Sequence, residues 1–129
     1  MDAPSTERLL RTPLYPEHLR LGAKMTPFNG WEMPLYYTSI LDEHKSVRAA
    51  VGLFDVSHMG QVFVSGPGAI EMVNALIVSD LSQTAVGRAC YTMLLNERGG
   101  ILDDIIVFRV GEHDLLIVIN CANRQKDVD

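Results

Sequence analysis

Three apolar runs, Ala89 to Leu95, Ile101 to Val110 and Leu115 to Cys121, are separated only by Asn96-Glu97-Arg98-Gly99-Gly100 and Gly111-Glu112-His113-Asp114. Connections this short, rich in glycine and turn-forming polar residues, predict neighbouring strands of opposite direction, an antiparallel meander. The last two runs are apolar on both faces, which places them at the sheet centre, with helices on one side and another layer on the other. Upstream, Gln61 to Ser65 alternates as a strand, Gly66-Pro67-Gly68 breaks it, and Ala69 to Val78 reads as a mostly apolar helix ending near Ser79-Asp80. The class expected is α+β, an antiparallel sheet meander flanked by helices.

Into the second run the sequence sets two consecutive carboxylates, Asp103 and Asp104, between a glycine turn and a strongly apolar stretch where ionised groups are costly. On a strand, Asp104, Ile106, Phe108 and Val110 share one face, and Asp103, Ile105, Val107 and Arg109 the other. A carboxylate beside an aromatic ring and a branched aliphatic suits a flat, partly apolar, nitrogen-bearing ligand. The competing reading makes Gly99, Gly100 and both aspartates a polar hairpin turn whose carboxylates cap free N–H groups.

The earlier part is read as loop and helix. Prolines and Gly30 punctuate Arg11 to Tyr37, leaving a short helix at Glu17 to Lys24 and an irregular aromatic stretch from Phe28 to Tyr37. A clear helix follows, capped by Thr38 or Ser39, with Asp42 and Glu43 in its first turn and Ile40, His44, Val47 and Val51 at helical spacing, ending at Gly52. His44 on that stripe is read as packing. Asp55, Ser57 and His58 tempt a triad reading, but triads assemble from separated segments, so Asp55 and His58 are expected to bond locally and fix a tight connection, with Met59 as an adaptable apolar contact. Residues 1–59 are thus expected to form an N-terminal loop-and-helix segment, and residues 60–129 the α+β subdomain with the aspartate pair.

Composition narrows the function. Apolar residues make up 47% and charged residues 21%, enough for a core, and a net charge of −5 without a basic cluster gives nucleic-acid binding little support. No apolar run is long enough to cross a bilayer. Met1 to Arg11, carrying Asp2 and Glu7, has neither a secretion signal's apolar core nor an acid-free presequence. Cys90 and Cys121 are read as reduced thiols, and no metal-binding spacing of Cys or His is present, so the expectation is a cytoplasmic protein without metal.

The motifs Arg11-Thr12-Pro13-Leu14-Tyr15, Leu21-Gly22-Ala23-Lys24-Met25, Gly30-Trp31-Glu32-Met33-Pro34, Val51 through Gly60, Tyr91-Thr92, Asn96-Glu97 with Gly99 through Asp104, and Asn120 with Ala122-Asn123-Arg124 and Lys126-Asp127 occur in that order. From about Arg11 to the last residue the chain resembles the N-terminal part of aminomethyltransferase, the T-protein of the glycine cleavage system. The resemblance implies glycine catabolism and one-carbon metabolism: the methylene of the aminomethyl group on the lipoyl arm of H-protein passes to tetrahydrofolate, and ammonia leaves. In a eukaryote the location would be the mitochondrial matrix.

The family aspartate that faces folate falls on Asp104, the proposed catalytic residue. Loss of ammonia leaves a cationic, iminium-like carbon, which a fixed anion stabilises while orienting the folate amine. Tyr91, Ile106, Phe108 and Asn120 would line the folate pocket, with Met59 nearby. Family members are about three times this length, and later acidic, arginine and aromatic residues close their pocket. Without them, Arg11 to Tyr37 is expected to lose its partner layer and expose an apolar patch. Relatives of this architecture also act in metal-cluster assembly and as domains of demethylating oxidases, so a non-catalytic folate-binding or scaffold module is the alternative.

Overall fold

A computed structural model describes residues 8–129. The reading of the first residues through Asp2 and Glu7 lies outside them. The chain divides into two compact units, Met1–His58 and Met59–Asp129, and is mixed α+β with antiparallel sheets.

In unit 1 a short helix, α1 (Tyr15–Arg20), starts with Pro16 in its first turn, where a missing N–H costs nothing. The aromatic stretch expected to be irregular is instead a hairpin of β1 (Lys24–Phe28) and β2 (Trp31–Tyr36), and α1 ends before Lys24, which opens β1. Asn29 and Gly30 turn it with φ of 46° and 81°, the left-handed pair that a two-residue hairpin needs. Pro27 and Pro34 are tolerated because each strand of a two-stranded sheet has a free edge. Trp31 and Met33 on one face of β2 are buried, so part of the segment keeps a core within its own unit.

Helix α2 (Ile40–Ala49) begins where expected. Ser39, extended at φ −159°, accepts the Asp42 N–H at 3.1 Å, and the Glu43 carboxylate accepts the Tyr37 and Thr38 N–H groups at 2.7 and 2.8 Å. None of its residues is buried. The stripe of Ile40, His44 and Val47 with Val51 beyond it therefore lies exposed, as do Leu53, Phe54 and Val56.

Unit 2 is a four-stranded antiparallel sheet of order β3-β6-β5-β4, with β3 (Gly60–Ser65), β4 (Ala89–Leu95), β5 (Ile101–Arg109) and β6 (Asp114–Ile119). The meander of β4, β5 and β6 is as read from the sequence, and β5 and β6 are central. Helix α3 (Ala69–Asn74) is shorter than expected: the Asn74 side chain leaves the helix to accept the Leu81 N–H at 2.8 Å, and β-branched Ile77 bridges to Leu94 of β4. Ile70, Val73, Ile77 and Leu81 pack on Ile105, Val107, Leu115, Ile117 and Ile119, one face of the sheet.

The other face is not covered as the sequence reading expected. Burial alternates strictly along β5 from Asp103 to Phe108, leaving Tyr91, Phe63, Ile106 and Phe108 partly or largely exposed.

Candidate functional site

Asp103 and Asp104 are not in a turn. The Asn96–Gly100 connection is closed by Asn96, whose side-chain oxygen accepts the Arg98 and Gly100 N–H groups, both at 2.9 Å, with Gly99 at φ 75°. Both aspartates lie inside β5, opposite Leu94 and Met93 of β4, so strand pleating sends their carboxylates to opposite faces. Asp104 joins the exposed face with Ile106 and Phe108; Asp103 is buried.

On the exposed face, the Tyr91 hydroxyl donates to Asp104 Oδ2 at 2.9 Å, and the Asn120 amide donates to Asp104 Oδ1 at 3.2 Å and to its main-chain oxygen at 2.9 Å. Tyr91 stands directly opposite Ile106, and Ile106 in turn opposite Val118, so the three pack as a cross-strand row. Phe108, between Ala89 and Leu116, extends it. Five of the six residues singled out in sequence, Tyr91, Asp104, Ile106, Phe108 and Asn120, therefore meet at this face. Met59 is half-buried just before β3, and no hydrogen bond ties it to them. The face is open; a cleft of about 410 Å³ lies in unit 1, lined by residues of β2, α2 and Val51–Asp55. Among the described residues no group of three or more His, Cys, Asp and Glu is placed to hold a metal ion.

Beneath the face, Asp103 organises the segment after β6. Its Oδ2 accepts the Asn120 N–H at 3.1 Å, and its Oδ1 accepts the Asn120 and Asn123 side-chain amides at 3.1 and 2.7 Å. Burial raises this carboxyl's pKa, but the hydrogen bonds from Asn120, Asp127 and Asn123 outweigh burial and hold it below the ordinary value. Sequence reading quoted Asn123 and Asp127 without giving them a role; their proximity to Asp103 depends on the chain folding back after β6.

In unit 1 Asp55 bonds locally as expected, and no hydrogen bond joins it to His58. Asp55 accepts from Thr12 at 2.7 Å, is 2.8 Å from His18 Nε2, and accepts the Ser57 N–H at 2.9 Å; His18 Nδ1 is 2.7 Å from the Tyr37 hydroxyl. His58 instead sets its ring edge-on to Phe28 and Trp31, at 5.9 and 6.5 Å. Burial raises the Asp55 carboxyl, yet the Thr12, His18 and Ser57 bonds carry it far below the usual range. Asp55 thus fixes local structure through long-range partners as well as its own turn.

Residues 14–129 match the family described as the GCVT N-terminal domain. The chain belongs to that family. Among its GCVT-domain relatives, aminomethyltransferase of Symbiobacterium thermophilum is 50% identical over 121 residues, covering 94% of this chain and 32% of the relative. That of Thermotoga maritima is 52% identical over 117 residues, 91% of this chain and 32% of the relative. The crystal structure of glycine cleavage system aminomethyltransferase T from Bartonella henselae superposes with a TM-score of 0.88 at 44% identity, covering 93% of this chain and 34% of that one. This GCVT-family chain therefore spans about a third of the length of the curated relatives it matches.

Proposed function

We propose that this chain carries the tetrahydrofolate-facing, N-terminal portion of a glycine-cleavage aminomethyltransferase. In this reading the methylene of the aminomethyl group on lipoylated H-protein moves to tetrahydrofolate and ammonia leaves. The observation that carries it is Asp104: an anion on the uncovered face of β5, held by Tyr91 and Asn120, beside Ile106 and Phe108. The side chains fit such a co-substrate, since a flat heterocycle lies well against aromatic and branched groups while its N–H groups find a carboxylate acceptor.

Tetrahydrofolate supplies the amine that accepts the one-carbon unit. The chain's own residues do the rest of the local work. Tyr91 and Asn120 fix the Asp104 rotamer, so the carboxylate is aimed before any ligand arrives. Asp104 then favours positive charge on the carbon from which the amine departs and orients the incoming amine by a hydrogen bond. Free Cys90 and Cys121 suit the reducing cytoplasm to which this reading assigns the chain.

The openness of the face bears on rate. Two unit charges 4 Å apart attract by about 1 kcal/mol in bulk water and about 4 kcal/mol where the effective dielectric is about 20. Because Asp104 is exposed here, binding and orientation are expected of this chain alone and efficient transfer is not. That exposure also favours a second reading, a folate-binding module without catalysis of its own. Calorimetric titration with tetrahydrofolate under anaerobic conditions tests the shared premise. Saturable binding, weakened about tenfold in Asp104→Asn, is expected; no binding by the wild-type chain removes both readings.

A further inference from the structure

Asp127, on the segment after β6, has a fully buried side chain. Neither of its carboxyl oxygens receives an amide, hydroxyl or amine donor from the described residues. The charged groups that face it are the Asp103 carboxyl, close enough for the pair to hydrogen-bond through one proton, and the Lys126 ammonium, 3.9 Å from Oδ1. A second uncompensated anion in that position is expensive. The arrangement of least cost leaves Asp103 ionised under its amide donors and Asp127 neutral, donating to it.

We propose that Asp127 is a positioning residue for the Asp104 site, acting through Asp103 and Asn120. Asp103 seats both the backbone and the side chain of Asn120, and that same side chain reaches Asp104. With one proton in the carboxyl pair, Asp103 carries a single charge and its amide donors stay in place. When that proton leaves, two buried anions oppose each other, and the strain is relieved by drawing the 120–129 segment, with Asn120, away from β5. Burial, then the hydrogen bond and charge of Asp103, push the Asp127 carboxyl up to about 6 against the opposing pull of Lys126, which brings the change close to neutrality. The consequence for binding rests on the tetrahydrofolate reading above.

The test follows the Asn120 side-chain amide by NMR as a function of pH in the 129-residue chain, alongside tetrahydrofolate affinity, in wild type, Asp127→Asn and Asp127→Ala. In wild type the Asn120 amide signals should move with a midpoint near the Asp127 value of about 6. In Asp127→Asn, whose N–H replaces the carboxyl O–H as donor to Asp103, they should stay put. Affinity should fall about tenfold across that midpoint in wild type and lose its pH dependence in Asp127→Asn and Asp127→Ala, each of which leaves Asp103 the single anion. An Asn120 amide indifferent to pH in wild type overturns the proposal, as does a pH dependence of affinity that both variants retain. If wild type binds no tetrahydrofolate yet Asn120 follows Asp127, the folate reading falls and the positioning network is supported. Should Asp127→Ala not fold, wild type against Asp127→Asn decides the matter.

Discussion

Tyr91 reaches diagonally across the β4–β5 pair to donate its hydroxyl to Asp104 Oδ2 at 2.9 Å, although the residue directly opposite Asp104 is Met93. The diagonal is within reach of a long aromatic side chain, and it ties the carboxylate to the same row as Ile106. Its signature is electrostatic: the hydrogen bond to Asp104, then burial and the charges of Asp104 and Asp103, raise the phenol above its ordinary value. In Asp104→Asn the Tyr91 titration, followed by carbon NMR of the ring, should move back toward that value. A titration that ignores the substitution would mean the bond does not persist in solution.

The two neighbouring aspartates should respond to substitution in opposite ways. Asp103 is 5% exposed and accepts the Asn120 and Asn123 amides, so Asp103→Asn turns an N–H₂ toward donors and should cost about 2 kcal/mol of stability. Asp104 is exposed, and Asp104→Asn should change stability by less than about 0.5 kcal/mol while weakening tetrahydrofolate binding. Urea unfolding measures the first effect and titration the second. Equal losses in both would return the pair to a purely structural role.

Acid should unfold unit 1 through Asp55. Its pKa is depressed in the folded chain, so the unfolded state binds more protons as pH falls; the stabilisation is present above the ordinary carboxylate range and is lost toward the depressed folded value. Urea midpoints of the buried Trp31 fluorescence, collected from neutral to acid pH, should show that decline. In Asp55→Asn the acid slope should flatten, and stability at neutral pH should drop by about 2 kcal/mol.

What could be read from sequence was whatever local periodicity controls. β4 has the boundaries expected for it, the alternation along β5 separates Asp103 from Asp104, and Ser39 caps α2. The β1–β2 hairpin was obscured because Pro27 and Pro34 argue against strands, and only an edge position makes them acceptable; the Asn29-Gly30 pair was the signal that could have revealed it. The apolar run after Ala69 hid two structures, since Ile77 suits a bridge as well as a helix. His18 and Asp55 lie 37 positions apart, and Asp103 and Asn123 lie 20 apart, so these bonds depend on folding that no local pattern records.

The account turns on whether the uncovered face of β5 receives the folate ring, and residue-resolved NMR of the chain titrated with tetrahydrofolate tests that most directly. The largest saturable shifts should fall on Tyr91, Asp104, Ile106, Phe108 and Asn120, and should vanish at the same ligand concentration in Asp104→Asn. Shifts confined to the Val51–Asp55 cleft of unit 1, or the same pattern in Asp104→Asn, would contradict it.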